Sequence, residues 1–288
     1  MGLKATRKIL CFLLTVIIAA STFLGAFFAV TANTYGKQSF YENNWCDDEL
    51  AEQCEQQLDS KLSALSYKSG IPLEVFNAVK RDTDTKTAVT QAVTGLFIGS
   101  DSTLYSQSRV EYFYSLCELY LKANDYNYSK DDIMNVAEEA ARIYSDSLGI
   151  HNAQTLKSFA EKKQVNSSVC AALCSIVGLV CIALLIMLYR EKHEGFVYIG
   201  SSVAAGGIAQ LLMSLSSLIF GFNAHFDVLP VAYEQVFIRL HDAFMFYNAL
   251  CGVALTALGV AVFAVAQMRI STKNNRASSG YYNVIGNM

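Results

Sequence analysis

Four stretches of this chain run for 22 residues or more without a single Asp, Glu, Lys, Arg or His: Ile9 to Ala32, Ser168 to Tyr189, Phe196 to Gly221 and Phe244 to Met268. No other feature limits the fold so strongly. A helix rises 1.5 Å per residue, so about 20 apolar residues cross the hydrocarbon core of a bilayer, where only helices and closed barrels satisfy their own backbone groups. Charged residues make up 16% of the 288 and hydrophobic ones 53%, whereas soluble domains average about 25% charged. The pattern predicts an all-α integral membrane protein with four transmembrane helices and an all-α extracytoplasmic domain inserted between the first and second. An ionisable group at mid-bilayer costs at least about 2.5 kcal/mol. With none present, the spans announce no ion path or proton relay.

Orientation follows from the basic residues beside the spans. Lys4, Arg7 and Lys8 precede the first, Arg190 and Lys192 follow the second, and Arg269, Lys273 and Arg276 follow the fourth. An even number of spans puts all three groups on one side, and positive residues favour the cytoplasmic side. The expected order is a cytoplasmic N-terminus (1–8), first span (9–32), outer helical domain (33–167), second span (168–189), cytoplasmic loop (190–195), third span (196–221), outer loop with an amphipathic helix (222–243), fourth span (244–268) and cytoplasmic tail (269–288). Both termini are thus expected to be cytoplasmic, in a multi-pass protein of the cell membrane. The first apolar run also resembles a signal peptide ending at Val30-Thr31-Ala32. Its length exceeds the usual 7 to 15 residues of such a region, which favours an uncleaved span. Gly2 and Thr6 fit a myristoylation pattern that would add little to an anchored chain. Residues 33–167 contain 20 Asp and Glu against 13 Lys and Arg, a net charge of −7, which makes nucleic acid and anionic lipid headgroups poor partners for this region.

Within that region, apolar residues recur at helical spacing. Cys46, Leu50, Cys54, Leu58, Leu62 and Leu65 predict a helix from near Trp45 to Ser69-Gly70, with Pro72 just beyond. A second helix is expected over Thr103 to Ala123, with Tyr105, Val110, Phe113, Cys117 and Tyr120 inward. Ser129 is placed to cap a third, whose stripe is Ile133, Val136, Ala137, Ala140, Ala141, Tyr144 and Leu148. His151 to Val165 reads as a helix running into the second span. Asp82 to Thr90 reads as a polar link, and "AVTGLFIG" at 92–99 as a short apolar piece packed in the domain, with a membrane-dipping segment as the alternative.

Of the eight cysteines, Cys11, Cys170, Cys174, Cys181 and Cys251 lie in spans, and Cys170, Cys174, Gly178 and Cys181 form a small-residue stripe suited to close approach of another helix. Cys46 and Cys54, eight residues apart on a continuous helix, would be separated by about 12 Å of rise, too far for a disulfide. Cys54 to Cys117, or else Cys46 to Cys117, would staple two helices, and three reduced thiols are the alternative. The segment "NNWCDDELAEQC" resembles the first loop of claudin-type four-span proteins in placing a tryptophan before two cysteines. The likeness covers only Trp45, Cys46 and Cys54. That family's first loop is far shorter and forms strands, so no functional residue is carried across.

The stretch before the fourth span, "HFDVLPVAYEQVFIRLHDAF" (225–244), holds two of the four histidines. As a helix from Val231, it would align Tyr233, Val236, Phe237, Leu240, Ala243 and Phe244 on one face, with Glu234, Gln235, Arg239 and Asp242 spread over the other. Glu234 and His241 share a direction but lie about 10 Å apart along the axis, too far for one zinc ion. A site joining them to His225 and Asp227 through a turn at Pro230 is the chemical reading. The simpler one pairs Arg239 with Asp242 and leaves His225 and His241 at headgroup level, and no cofactor is called for. No nucleotide-binding loop, nucleophile elbow, zinc-protease helix or Cys-x-x-Cys pair occurs. The carboxylates Asp47-Asp48-Glu49 and Glu138-Glu139 read as solvated helix faces, and Tyr282 to Ile285 fits a tyrosine sorting pattern at the level of chance.

The third span carries Gly207, Gln210, Ser214, Ser217 and Gly221 on one face, with Gly200 and Ala204 as a small-residue pair. An amide facing lipid would go unpaired, so this face is expected against another helix, with Gly252, Thr256, Ala257 and Ala261 of the fourth span as the answering surface. The sequence favours a non-enzymatic binding or accessory protein: its outer domain engages a protein partner or other ligand, and its spans associate with one another or with copies of themselves. A transporter or channel subunit using the polar face of the third span is the second reading. A membrane-bound metal-dependent hydrolase at His225, Asp227, Glu234 and His241 is the third.

Overall fold

The computed structural model describes residues 2–82, 84–98, 104–149, 153–189, 192–220 and 231–285, all helical or in short links, with no strand among them. The helices are α1 (Gly2–Asn33), α2 (Gln38–Asn44), α3 (Asp48–Ser69), α4 (Leu73–Asp82), α5 (Thr85–Ile98), α6 (Gln107–Ala123), α7 (Lys130–Leu148), α8 (Ala153–Leu188), α9 (Lys192–Phe220) and α10 (Val231–Ile285). Four segments are long and apolar enough to cross a membrane: Thr6–Asn33, Lys157–Leu188, Glu194–Phe220 and Val236–Thr272. Two compact units result. One gathers Met1–Gly36, Lys163–Phe222 and Asp242–Met288, the other Lys37–Lys162 and Asn223–His241.

In the first unit, α1 presents Cys11, Leu14, Ile18 and Ser21 at spacings of three and four as its buried stripe. Leu14 and Ile18 cluster with Cys181 and Leu185 of α8 and Ile199 of α9. Small residues let backbones approach: a Cβ on Gly25 would meet Cys174 at 3.4 Å, one on Gly178 would meet Ser21 at 3.5 Å, and one on Gly206 would lie 2.8 Å from the Ala19 carbonyl oxygen. The stripe expected on the second span therefore meets α1. Hydroxyls inside these helices turn inward to their own backbone, Thr15 donating to Cys11 O, Thr22 to Ile18 O and Thr256 to Gly252 O. That satisfies them without water. At one end Arg7 lies over the Tyr189 ring at 4.9 Å and Tyr189 stacks on Tyr198.

In the second unit, α7 packs against α3, α5 and α6. Its Ala137, Ala140 and Ala141 are wholly buried, and alanines are what allow neighbours on several sides. Each long helix begins at a side-chain cap: Asp47 accepts from Leu50 N, Ser106 from Arg109 N and Ser129 from Asp131 N. Gly70 closes α3 at φ 72°, the left-handed region that glycine enters without strain. The expected stripes of α6 and α7 are buried in the main, with Tyr105, Tyr120 and Val136 half-buried.

Three expectations need correction. The helix expected from Trp45 begins at Asp48, because the extended Asp47 caps it and Trp45 ends α2. Asp82 to Thr90 is not a link: α4 reaches Asp82 and α5 starts at Thr85. Thr85, Ala88, Val89, Ala92 and Val93 bury one face of α5, and that packing overrides the poor helix propensity of its threonines and valines. The apolar piece at 92–99 is thus the second half of α5 as far as Ile98. Finally, α6 starts at Gln107 rather than Thr103, which lies outside the described residues.

Candidate functional site

Two places concentrate polar groups. The first is the seam between α9 and α10, which run antiparallel. Four glycines bring the backbones together. A Cβ on Gly200 would fall 2.6 Å from Phe263 N, one on Gly207 2.6 Å from Thr256 N, one on Gly252 2.9 Å from Leu211 N, and one on Gly259 2.7 Å from Ala204 Cα. At the centre, Gln210 and Asn248 are both fully buried, and Gln210 Nε2 donates to Asn248 Oδ1 at 3.0 Å. Asn248 Nδ2 donates to Phe244 O, and Ser214 Oγ to Gln210 O. Gln210 Oε1 is buried without a hydrogen-bond partner among the described residues.

The face expected on the third span is therefore turned inward at Gly207, Gln210 and Ser214, and half-buried at Ser217. Gly221 lies outside the described residues. Its answering surface differs in part: Gly252 and Thr256 meet α9, whereas Ala257 and Ala261 are exposed. Asn248 and Gly259 take their place. Asn248 is the amide that the third span's glutamine needed, and Gly259 follows Gly252 by seven residues just as Gly207 follows Gly200.

The second place is an open depression of about 570 Å³ along α5, lined by Asp84, Lys86, Thr87, Thr90, Gln91, Thr94 and Gly95. One lining residue, Thr94, is tied to the neighbouring helix α2. Thr94 Oγ1 and Gln38 Nε2 both donate to Glu42 Oε1 at 2.7 Å, and these two donors hold the Glu42 carboxyl below its ordinary range. At the rim, Lys86 Nζ lies 2.7 Å from Asp48 Oδ1, which lowers the aspartate and raises the lysine. Exposed hydroxyl, amide and ammonium groups at helical spacing make this a hydrogen-bonding surface. The sequence concealed it, because the same residues read as a polar link.

Near α3, Arg239 reaches back to the chain that caps the helix. It pairs with Asp47 and donates from Nη1 to Trp45 O at 3.3 Å. It was expected to pair with Asp242, but Asp47 offers a carboxylate already fixed by Leu50 N. Val236, Leu240 and Phe244 are buried as the amphipathic pattern predicts. His225 and Asp227 lie outside the described residues, as does the Glu234 side chain, and His241 is half-buried. Among the described residues no three His, Cys, Asp or Glu side chains gather as metal ligands.

All eight cysteines are free thiols. Cys46 precedes α3 instead of lying on it, so the rise that separated it from Cys54 does not apply. Burial pushes Cys46 up to about 11, and the nearby Cys54 adds to the shift. Burial alone pushes Cys117 to about 11. Compared with known proteins, the chain matches no protein-family model, no curated protein and no solved structure.

Proposed function

We propose that this protein is a multi-pass membrane protein whose helical domain, on the extracytoplasmic side, binds a protein partner through the α5 depression, while the four-span bundle anchors it. The membrane reading rests on exposed apolar surface. Only 17% to 22% of each span's most apolar window is buried within the chain. Ile9, Phe12, Leu179, Met187, Leu212, Phe220 and Met268 are all more than 60% exposed, and soluble monomers rarely expose contiguous apolar patches of this extent. Lipid is the solvent that suits them. Arg7 over Tyr189, with Tyr198 stacked beside it, resembles the basic and aromatic collar of a cytoplasmic membrane face. Both termini then lie in the cytoplasm, and residues 33–167 lie outside.

The observation that carries the binding reading is the polar depression, whose lining Thr94 is held in place by its hydrogen bond to Glu42, itself held by Gln38. A surface whose donors and acceptors are already held costs a partner less entropy to engage. The test is extraction of the full chain in mild detergent with identification of what co-purifies in stoichiometric amount, then repetition with Thr87→Arg and Gln91→Arg. Loss of that partner from a protein that still unfolds at the wild-type temperature supports the reading. Retention of the partner by both variants sinks it.

One observation favours a second reading, a transporter or channel subunit: among the described residues Gln210 Oε1 is buried without a hydrogen-bond partner, as an oxygen awaiting a permeating donor would be. Reconstituted vesicles settle the choice between the two. Solute flux that disappears in Gln210→Leu supports permeation, and unchanged permeability supports the anchored binding protein.

A further inference from the structure

Two Asn-x-Ser triplets occur in or at the border of the region proposed to lie outside the membrane, Asn127-Tyr128-Ser129 within it and Asn166-Ser167-Ser168 at its junction with the second span. Their settings differ sharply. Asn166 sits inside α8, at the edge of the apolar segment, and Ser167 beside it is buried. A helix turns the residues at i and i+2 to different sides, and the backbone there is already committed to hydrogen bonds. Asn127 lies in the link between α6 and α7.

That link is defined at both ends. The chain leaves α6 through a Schellman motif: Tyr126 N donates to Leu121 O, Asp125 N donates to Lys122 O, and Asp125 takes φ 55°. It enters α7 at Ser129, which is extended (φ −85°, ψ 139°) and caps the helix. Residues 126–129 between these devices have no helical or strand assignment, and Asn127 is exposed beside Tyr126, itself 56% exposed. The triplet therefore stands on an open surface with room for a bulky group.

We propose that Asn127 is an N-glycosylation site and that Asn166 is not. The reaction is transfer from a polyprenyl-pyrophosphate-linked oligosaccharide by a membrane oligosaccharyltransferase. The Asn127 Nδ2 forms a bond to the anomeric carbon of the first sugar, the bond from that carbon to the pyrophosphate oxygen breaks, and Nδ2 gives up one proton as the lipid pyrophosphate leaves. No oxidant or reductant enters. The Ser129 hydroxyl is the third-position group that the motif requires. The exposed Tyr126 ring then offers an apolar face beside the first sugar. The proposal rests on the topology given above, because only an extracytoplasmic link meets the enzyme.

The test is translation of the full chain into endoplasmic-reticulum microsomes, with two readouts: gel mobility before and after peptide-N-glycosidase, and protection of residues 33–167 from added protease. One glycosidase-sensitive shift is expected for the wild type, lost in Asn127→Gln, kept in Ser129→Thr and kept in Asn166→Gln. A protected domain without the shift overturns the glycosylation while leaving the topology standing. A digested domain overturns both. A shift that persists in Asn127→Gln and vanishes in Asn166→Gln also overturns the assignment.

Discussion

Replacing Gly207 by alanine tests whether the α9–α10 seam is held by direct backbone contact. The added Cβ would lie 2.6 Å from both Thr256 N and Thr256 Oγ1 and 2.8 Å from Gly252 O. The Thr256 N and Gly252 O positions are backbone, so neither can swing aside as a side chain could. Ordinary contact starts at 3.4 Å, so the helices must part by about 0.8 Å, a displacement of the kind that costs roughly 1–3 kcal/mol in a packed core. Alanine returns about 1 kcal/mol of helix propensity, leaving a net loss of up to about 2 kcal/mol. At roughly 3 °C per kcal/mol for a chain of this size, the midpoint falls by up to about 6 °C. The assay is thermal unfolding of the purified full chain in one fixed detergent, with Gly178→Ala as the control. A Cβ at Gly178 meets only Ser21 Cβ, at 3.5 Å, so that variant should match or exceed the wild type. If the two variants unfold together, close backbone packing does not hold this seam.

Gln210→Leu orphans Asn248 Oδ1 and should cost about 1 kcal/mol, whereas the double variant with Asn248→Leu should regain most of it; additive losses in the same unfolding assay would show that the amides do not act as a pair. Asp47→Ala loses both the α3 cap and the Arg239 partner and should cost about 1–2 kcal/mol, whereas Asp47→Asn keeps the cap and should cost less than half as much. Equal losses would remove the cap from the explanation. Cys46 and Cys117, with thiols raised from the ordinary 9.0 to about 11, should alkylate at pH 8 about 100-fold more slowly than a free thiol. Between pH 9 and 11 the unfolded thiols ionise and the folded ones do not, so the unfolded state binds fewer protons and stability falls as pH rises through that window. Replacing both residues by alanine should flatten that part of the unfolding profile, and an unchanged slope would refute the assignment.

The four long apolar helices were legible because hydropathy over about 20 residues needs no knowledge of partners. α7 was legible for a related reason: its cap and its stripe of Ile133, Ala137, Ala140, Ala141 and Tyr144 both lie within one helix. α5 was not. Its buried face is made of Thr85, Ala88, Val89, Ala92 and Val93, small or β-branched residues that score weakly as an apolar stripe, and it is helical because α2, α3 and α7 cover it. The depression on its other face was hidden by the same misreading. Cys46 shows a different failure, in which spacing was converted to distance along a helix that Asp47 had already interrupted.

The α9–α10 seam shows which kind of information a single helix lacks. Gln210 declared from its own surroundings that it needed a partner, but Asn248 sits among Tyr247, Ala249 and Leu250 with no local sign of its role. Only the antiparallel register, fixed by Gly200 and Gly207 against Gly259 and Gly252, sets the two amides opposite each other. The same register locates mechanical strength. At α9–α10 a methyl group would strike backbone at 2.9 Å or closer, whereas Gly25 and Gly178 at α1–α8 meet side chains at 3.4–3.5 Å. The α1–α8 seam can separate without first breaking an amide pair, and α8 exposes Leu173, Ile176, Val180, Leu184 and Met187 besides. Disulfide trapping of the native Cys174 by a cysteine placed at Gly25 should therefore slow as detergent loosens the bundle, well before the backbone amides at Gly207 and Gly252 begin to exchange with deuterium. The opposite order would show that glycine contact is not what sets the resistance of these seams.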